Sequence, residues 1–309
     1  MKYLVVGAGG AGGVLGASLA QAGYDVTMIA RGGHLRAIKE KGLIIHNLWD
    51  DSEITVPVKA VSADEYVKDN EEKADVILVC VKGYSIPEIV PFLRSASTPE
   101  TVILPILNIY TTGETLRKAL PDRYVIDGCI YVSSNIEEYG KILKHAKVLR
   151  VFFGPAKDQE SRPVLKQLEQ ELNDGGVRGG LSENIRRDAL QKFCYVSPIG
   201  AAGLYYNANA GSFQKEGEER ELYIGMMKEI VALADAMGCP FETDVVAANL
   251  NILDHQPPMA TTSMQRDILA GGPSEIEGLV YEVPETGKQY GLEMPLYQKV
   301  SDELKARYS

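Results

Sequence analysis

Short apolar runs alternate with amphipathic stretches along the first part of the chain. Runs at 3–6 and 26–30 are each followed by a stretch, 11–22 and 33–41, whose apolar positions recur at helical spacing. Later runs rich in Val and Ile predict three more strands, at 76–81, 102–107 and 124–133. Further helices are predicted at 86–93, 114–120 and 164–172. This βαβ rhythm is typical of a doubly wound, mainly parallel sheet of the Rossmann type.

The pattern changes between residues 136 and 154, where polar and apolar positions alternate. With a turn near Tyr139-Gly140, the alternation predicts an antiparallel, hairpin-like extension of the sheet. Four glycines between residues 175 and 180 then interrupt the chain, and we place a domain boundary near residue 181. Such a glycine-rich joint would permit hinge motion between the two predicted domains, residues 1–181 and 182–309.

Strand patterns disappear after residue 181, and long helical patterns follow. The predicted helices cover residues 184–196, 216–237, 242–253, 275–283 and 296–307. The predicted fold class is therefore an α/β, Rossmann-type domain followed by an all-helical domain large enough for a core of its own. Tyr205 and Tyr206 are expected to pack in that core or at a subunit contact, which leaves a homodimer open.

Composition and charge narrow the classes of function. The 309 residues are 45% hydrophobic and 24% charged, which is typical of a soluble globular protein. A formal net charge of -10 without a basic block argues against a nucleic-acid partner. No run approaches the roughly 18 apolar residues of a membrane helix. The four cysteines and four histidines lack metal-ligand or disulfide spacing, so we expect no metal and a reducing, cytoplasmic location.

A glycine-rich segment directly follows the first predicted strand and precedes the first predicted helix. Its residues Gly7-Ala8-Gly9-Gly10-Ala11-Gly12 satisfy the pattern GxGxxG. In dinucleotide sites the first glycine permits a tight turn, the second lets the pyrophosphate approach the backbone, and the third lets helix and strand pack closely. The helix N-terminus then faces the phosphates. The segment predicts a dinucleotide cofactor, with a ligand-free glycine-rich turn as the alternative.

The end of the second strand indicates which dinucleotide is bound. An acidic residue at this place would bind the ribose 2′-hydroxyl of NAD, but the strand ends at Ala30-Arg31. An arginine instead suits the 2′-phosphate of NADP, which accepts a planar, bidentate pair of donors. Asp25 stands at the other end of the strand. The sequence therefore favours NADP, with an ordinary surface arginine as the alternative.

A lysine interrupts the apolar face of the predicted helix at 184–196. At about 100° per residue, Lys192 falls within the apolar stripe rather than opposite it. The stripe consists of Ile185, Ala189, Phe193 and Val196. Lys192 either packs its stem and extends its ammonium to water, or it lines a cleft and donates a proton to a carbonyl oxygen that receives hydride. The neighbouring Cys194 is expected to be a packed thiol rather than a nucleophile.

Over nearly its whole length the chain resembles the ketopantoate reductases (2-dehydropantoate 2-reductases), an NADP-dependent family with a Rossmann domain followed by a helical domain. The matching pieces, in family order, are the Gly7 to Gly12 loop, Arg31, Lys82, Asn108, the Asn184 to Lys192 helix, Thr262 to Asp267, and Glu275 to Glu277. The resemblance implies that Lys192 is the general acid and that Glu275 binds at the substrate and nicotinamide end. It also implies that Ser263 contacts the substrate carboxylate, and that Asn108 and Lys82 help to hold cofactor and substrate.

Taken singly, these residues have structural alternatives. Glu275 could be a first-turn acid favoured by the helix dipole, since Ser274 and Glu277 have the spacing of a capping box. Ser263 could be a helix cap. Asn108 and Lys82 could be a turn residue and a solvated strand-end lysine.

Some positions depart from the family pattern. Val196 and Gly200 stand where the family places two substrate-binding asparagines, and Ile109 stands where it commonly has glycine. Asn207 and Asn209 are candidates to replace the missing amides. A site with fewer hydrogen-bond donors should discriminate less well for a hydroxylated substrate.

The expected activity is the NADPH-dependent reduction of a small-molecule 2-keto acid in a cleft between the domains. The substrate expected first is 2-dehydropantoate, reduced to (R)-pantoate in pantothenate and coenzyme A biosynthesis. A related NADP-dependent oxidoreductase with another 2-keto or 2-hydroxy acid substrate is one alternative. A non-catalytic dinucleotide-binding sensor is the other.

Overall fold

The computed structural model describes residues 1–69 and 73–308, without the side chain of Asp69. The chain divides into two compact units, Met1–Ile185 and Arg186–Ser309. The first unit contains both β-sheets, whereas the described residues of the second contain no strand. This confirms the predicted Rossmann-like domain followed by a helical domain.

The first unit is built from strands that alternate with helices. Its strands are β1 (Lys2–Val6), β2 (Asp25–Ile29), β3 (Leu43–Asn47), β4 (Ser52–Val56), β5 (Lys59–Val61), β6 (Val76–Val79), β7 (Val102–Pro105), β8 (Tyr124–Val125), β9 (Asp127–Glu138), β10 (Lys141–Gly154) and β11 (Arg178–Leu181). Its helices are α1 (Gly10–Gln21), α2 (Gly32–Lys41), α3 (Ala63–Asp69), α4 (Ile86–Ala96), α5 (Thr112–Ala119) and α6 (Val164–Asp174), with a 3-10 turn at Gly83–Ser85.

A six-stranded parallel sheet forms the centre of this unit. The strand order is β5-β2-β1-β6-β7-β8, and every neighbouring pair is parallel. Successive side chains enter separate cores, with Val5 and Leu78 on one face and Leu4 and Ile77 on the other. Because both faces are buried, β6 and β7 read as continuous apolar runs rather than as alternating ones.

The predicted hairpin is present, and it belongs to a second sheet. Strand β9 pairs with β10 in antiparallel register around the turn at Tyr139-Gly140, and this sheet has the order β11-β10-β3-β4. The hydrophobic pattern missed β3, β4 and β11. Gly179 and Gly180 lie in β11, where they pair with Val151 and Phe152 of β10. These glycines are therefore part of a strand and not of a flexible joint.

Close packing explains why glycines occupy β11. A Cβ atom on Gly179 would lie 2.9 Å from the Cβ of Leu172 in α6, and one on Gly180 would lie 3.0 Å from the ring of Phe152. A side chain at either position would press the strand away from its neighbours.

A charged cluster on β3 makes the stability of this sheet depend on pH. Nδ1 of His46 lies 3.0 Å from Glu137 Oε2, and Nε2 lies 2.9 Å from Asp51 Oδ1. Hydrogen bonds to Glu137 first and then to Asp51 raise the pKa of His46 above its usual value. The imidazolium is therefore more favourable in the folded chain than in the unfolded one. Its contribution to stability is complete below the unfolded pKa and is lost as the pH rises through the folded pKa.

We expect the difference in urea midpoint between the wild type and His46→Gln to be larger near pH 6 than near pH 9. The difference should be small at both values, since the carboxylates of Asp51 and Glu137 are exposed and screened by solvent. Chemical unfolding followed by circular dichroism measures both midpoints. An equal difference at the two pH values would contradict the assigned ion pairs.

The second unit consists of helices. They are α7 (Ile185–Tyr206), α8 (Ala210–Phe213), α9 (Glu218–Ala236), α10 (Val245–Asp254), α11 (Ser263–Leu269), α12 (Val283–Gln289) and α13 (Pro295–Tyr308), with a π-helical turn at Glu277–Tyr281. Helix α7 continues through Pro198 to Tyr206, beyond the predicted end at residue 196. The rings of Tyr205 and Tyr206, both half-buried, meet edge to face with centroids 4.9 Å apart.

The prediction of one helix at 275–283 was wrong in detail. The segment forms the π-helical turn and then α12, in which Pro284 occupies the first turn, where a proline is well tolerated. Among the described residues, no helix has both the length and the apolar character needed to cross a membrane.

Candidate active site

Four predicted cofactor positions follow the carboxyl ends of adjacent parallel strands. Arg31 follows β2, the Gly7–Gly12 loop follows β1, Lys82 follows β6, and Asn108 follows β7. The carboxyl ends of parallel strands meet at one edge of a sheet, so these positions share that edge. Strands β2 and β5 lie on one side of β1, and β6, β7 and β8 lie on its other side, so the direction in which strands are added reverses at β1. Open α/β sheets bind ligands in the crevice at such a reversal.

The glycine-rich loop is held tightly at its start. Gly7 has a φ of +102°, a conformation that side-chain-bearing residues rarely adopt. Its N–H and that of Ala8 both donate to Ile29 O at the end of β2, at 3.2 and 3.3 Å. Helix α1 then begins at Gly10, with Gly9 as its N-cap residue. The loop thus turns the chain directly from β1 into the helix.

The glycines of the pattern meet different surroundings. A Cβ atom on Gly12 would lie 2.1 Å from Gly7 O, and one on Gly7 would lie 3.0 Å from the backbone of Cys80. A Cβ atom on Gly9 would meet no atom within 4 Å. The loop is therefore packed at its first and third glycines and open at its second. This is the arrangement that fits a pyrophosphate on the backbone.

Two further glycines of this segment make room for the hairpin. A Cβ atom on Gly10 would lie 2.7 Å from Ser134 O in β9, and one on Gly13 would lie 3.0 Å from the Ile142 side chain in β10. Gly10 thus has a packing role in addition to the cofactor role predicted for it. Sequence reasoning missed this requirement because the hairpin lies more than 100 residues further along the chain.

Arg31 stands at the N-cap position of α2 and is exposed. The preceding residue is fixed, since Ala30 N–H donates to Val61 O in β5 at 3.1 Å. Asp25 begins β2 at the opposite end of the strand. A guanidinium and the amino end of a helix dipole together make this end of β2 attractive to an anion.

Lys82 and Asn108 lie in short turns after β6 and β7, and both are half-buried. Lys82 precedes the 3-10 turn and accepts a backbone hydrogen bond from Ser85 N–H at 2.9 Å. The turn after Asn108 is closed by the Thr112 hydroxyl, which donates to Ile109 O at 2.8 Å. The Lys82 side chain is therefore not the fully solvated lysine of the structural alternative.

In the helical unit, two charged side chains are buried. Lys192 on α7 is 7% exposed and Glu275 is 5% exposed, so little of either group reaches water. Ser197 Oγ on α7 donates to Leu279 O at 2.5 Å, and Leu279 N–H donates to Glu275 O at 3.0 Å. Lys192 and Glu275 thus lie on two neighbouring segments joined by hydrogen bonds.

The face of α7 that carries Lys192 continues toward the start of α11. Lys192, Val196 and Gly200 recur every four residues and so share one face of the helix. A Cβ atom on Gly200 would lie 2.8 Å from Met264 Cε and 3.4 Å from Thr262 Oγ1. Met264 thus occupies the space that a side chain at position 200 would need. A larger residue at position 200 would therefore require the flexible end of Met264 to move.

Two capping predictions can now be compared with the structure. Thr262 and Gln265 form the capping box of α11, so Ser263, half-buried, is the first helical residue and not the cap. The predicted capping box of Ser274 and Glu277 is wrong, because no side chain caps the π-helical turn that forms there. Glu275 O accepts a hydrogen bond from Leu279 N–H, so Glu275 lies at the start of this helical segment and both interpretations of its carboxylate stay open.

Cys194 is confirmed as a packed thiol. It is fully buried, and its Sγ lies 3.6 Å from Met227 O. Burial raises the pKa of the thiol to about 12, so the nucleophilic thiolate is not populated near neutral pH.

Comparison with known proteins gives matches in both units. A family model described as ketopantoate reductase PanE/ApbA matches residues 3–158, and its C-terminal counterpart matches residues 184–308. A 2-dehydropantoate 2-reductase from Mesorhizobium japonicum is 27% identical, covering 93% of this chain and 92% of its own. An uncharacterized oxidoreductase, YkpB, from Bacillus subtilis is 24% identical over 98% of both chains.

Solved structures agree with the described fold. The 2-dehydropantoate 2-reductase from Methylococcus capsulatus has a TM-score of 0.87 and 26% identity, covering 99% of this chain and 96% of its own. The ternary structure of D-mandelate dehydrogenase with NADH and anilino(oxo)acetate has a TM-score of 0.86. This dehydrogenase is 20% identical, covering 100% of this chain and 98% of its own. At that identity the likeness shows the fold alone.

Proposed function

The chain belongs to the ketopantoate reductase family of NADP-dependent oxidoreductases, and we propose that it reduces a 2-keto acid to the corresponding 2-hydroxy acid. The substrate proposed first is 2-dehydropantoate, with (R)-pantoate as the product. The observation that carries the proposal is the burial of Lys192 on the α7 face whose Gly200 meets Thr262 and Met264 at the start of α11. A role in pantothenate and coenzyme A biosynthesis, a cytoplasmic location and a homodimer stay predictions.

The chemistry assigned to the helical unit follows from its donors. When bound, NADPH would supply a hydride to the carbonyl carbon of the substrate. Lys192 donates a hydrogen bond and then a proton to the carbonyl oxygen, which would otherwise become an alkoxide. Because little of its side chain reaches water, its charge is less screened than that of a surface lysine. We assign Ser263 to the substrate carboxylate and Glu275 to the substrate and nicotinamide end.

The cofactor is assigned to the sheet unit. The backbone of the Gly7–Gly12 loop takes the pyrophosphate, and Arg31 takes the 2′-phosphate. Lys82 and Asn108 are assigned to the cofactor and the substrate beyond the ends of β6 and β7. The open space at Gly9 and the exposed guanidinium at the start of α2 support these assignments.

Replacing Arg31 should change the choice of cofactor. We expect Arg31→Ala to weaken NADPH binding about 10- to 100-fold, because a charge-assisted pair contributes about 1.5–3 kcal/mol. NADH lacks the 2′-phosphate, so its binding should change little. Fluorescence titration of both nucleotides measures the effect, with Arg36→Ala, an exposed arginine on the same helix, as the control. An equal loss of affinity for NADPH and NADH would show that Arg31 does not bind the 2′-phosphate.

A second candidate substrate class is favoured by the residues that follow Lys192. Val196, Gly200 and the buried Met264 present carbon and sulfur atoms where the family has amide groups. Such a surface offers no hydrogen bond to a substrate hydroxyl, and it suits an apolar side chain. A 2-keto acid with a branched aliphatic or aromatic side chain is therefore the rival of 2-dehydropantoate.

The decisive experiment follows NADPH absorbance with a panel of keto acids. The panel contains 2-dehydropantoate, its dehydroxylated analogue 3,3-dimethyl-2-oxobutanoate, and phenylglyoxylate. A higher kcat/KM with 2-dehydropantoate supports the first substrate, and a higher value with either apolar acid supports the second class. NADPH binding without turnover of any keto acid would overturn the reductase proposal and favour a dinucleotide sensor.

A further inference from the structure

A buried histidine connects the glycine-rich loop to the tip of the hairpin. His34 lies in the first turn of α2 and is 8% exposed. Its Nε2 atom lies 2.8 Å from Ala8 O in the loop, and its Nδ1 atom lies 3.0 Å from Gly140 N at the hairpin turn. One imidazole ring thus joins two segments that are separated by more than 100 residues.

The two partners determine which nitrogen carries the proton. Ala8 O can only accept a hydrogen bond, so Nε2 must donate. Gly140 N–H can only donate, so Nδ1 must accept. Both bonds are satisfied together only by the neutral imidazole with its proton on Nε2.

The hairpin tip is held firmly enough to orient this ring. Gly140 O accepts a hydrogen bond from Ile44 N–H of β3 at 2.9 Å. Gly140 has a φ of +85°, and a Cβ atom there would lie 2.8 Å from the Cβ of Ala37. The ring of Tyr139 covers Gly33, where a Cβ atom would lie 2.4 Å from it. The turn therefore packs directly on the first turns of α2.

The bond to Ala8 O also determines where the next amide points. The Ala8–Gly9 peptide is trans, so its C=O and N–H point in opposite directions. When Nε2 of His34 holds the Ala8 carbonyl, the Gly9 N–H is directed away from the histidine. Apart from its two chain neighbours, no residue would lie within 4 Å of a Cβ on Gly9, so the space beside this residue is open.

We propose that His34 is a positioning residue for the cofactor: it fixes the Ala8–Gly9 peptide so that the Gly9 amide is presented to the pyrophosphate. This inference rests on the proposed assignment of the loop to the cofactor phosphates. His34 itself touches neither the phosphates nor the reacting atoms.

Two substitutions separate the two hydrogen bonds of His34. In His34→Gln the terminal amide nitrogen reaches about as far as Nε2, so it can still donate to Ala8 O. In His34→Asn the side-chain oxygen can replace Nδ1 and accept from Gly140 N–H, but the side chain is too short to reach Ala8 O. Both variants are neutral and polar, so they test the position of the donor rather than the presence of a ring.

We expect His34→Asn to raise the Kd of NADPH about 10-fold, the equivalent of a hydrogen bond of ~1.4 kcal/mol, and His34→Gln to change it less than about 3-fold. Melting temperatures measured on the same samples establish that both variants fold. His46→Asn, which removes a histidine from β3, is the control and should leave the Kd unchanged. Wild-type affinity in His34→Asn, or equal losses in both His34 variants, would overturn the inference.

A measurement without cofactor tests the same bond independently. Long-range ¹H–¹⁵N spectra of the wild-type chain should show His34 protonated at Nε2 and bare at Nδ1. A proton on Nδ1 would overturn the inference even if the variants failed to fold. Failure of the wild type to bind NADPH would instead refute the assignment of the loop, so the two failures are distinguishable.

Discussion

Replacing Lys192 with methionine is expected to lower kcat for keto-acid reduction by about 10²- to 10⁴-fold, the range that general acid catalysis contributes. Methionine keeps most of the buried stem of the side chain but removes the ammonium. The Kd of NADPH should stay within about 3-fold of the wild type, because the positions that we propose to bind its phosphates lie in the other unit. Steady-state kinetics and fluorescence titration measure the two quantities separately.

A matched control distinguishes the loss of the ammonium from a general effect of methionine. Lys228 is exposed on α9, so Lys228→Met should leave kcat unchanged. Melting temperatures report any change of stability in Lys192→Met, since removing one buried charge alters both the desolvation cost and the pairing at the site. If Lys192→Met kept wild-type turnover, the lysine would have no role as the acid.

Two glycine substitutions should separate stability from cofactor binding. Gly12→Ala places a Cβ atom 2.1 Å from Gly7 O, so the loop or the helix must shift. We expect it to lose about 1–3 kcal/mol of stability and to lose NADPH binding as well. Gly9→Ala meets no atom within 4 Å and has an ordinary φ of -76°, so it should stay as stable as the wild type.

Gly9→Ala should nevertheless bind NADPH about 10- to 100-fold more weakly, since the added methyl group stands where we propose that the pyrophosphate approaches the backbone. Urea unfolding and fluorescence titration of both variants give the comparison. Unchanged NADPH affinity in Gly9→Ala would mean that the phosphates bind elsewhere. The two variants also serve as controls for each other, because they add the same methyl group three residues apart.

The central sheet, apart from the three-residue strand β5, could be predicted because both of its faces are buried. Strands such as β6 and β7 then appear as apolar runs that no solvent-facing residue interrupts. Strand β4 could not be predicted in this way, since three of its five residues are exposed. Strand β11 was missed because glycine favours turns in isolation, whereas here it is required by packing against α6.

The same distinction holds for the candidate site. The glycine-rich loop and Lys192 are recognisable because their signal lies within a few consecutive residues. The roles of Gly200 and His34 depend instead on Met264 and Gly140, contacts made across long stretches of chain. No local pattern marks such residues. His34 is one of four histidines in the sequence, and only the structure shows that it is buried between two backbone segments.

The contact between the hairpin and the first turns of α1 limits how the cofactor loop can be exchanged. Gly10 and Gly13 lie against Ser134 and Ile142, so their size is set by the second sheet. A loop transplanted from another Rossmann protein would need glycines only at positions 7, 9 and 12 to bind the cofactor. Bulkier residues at positions 10 and 13 would push the hairpin off the helix. The loop and the hairpin must therefore be transplanted together, as one unit.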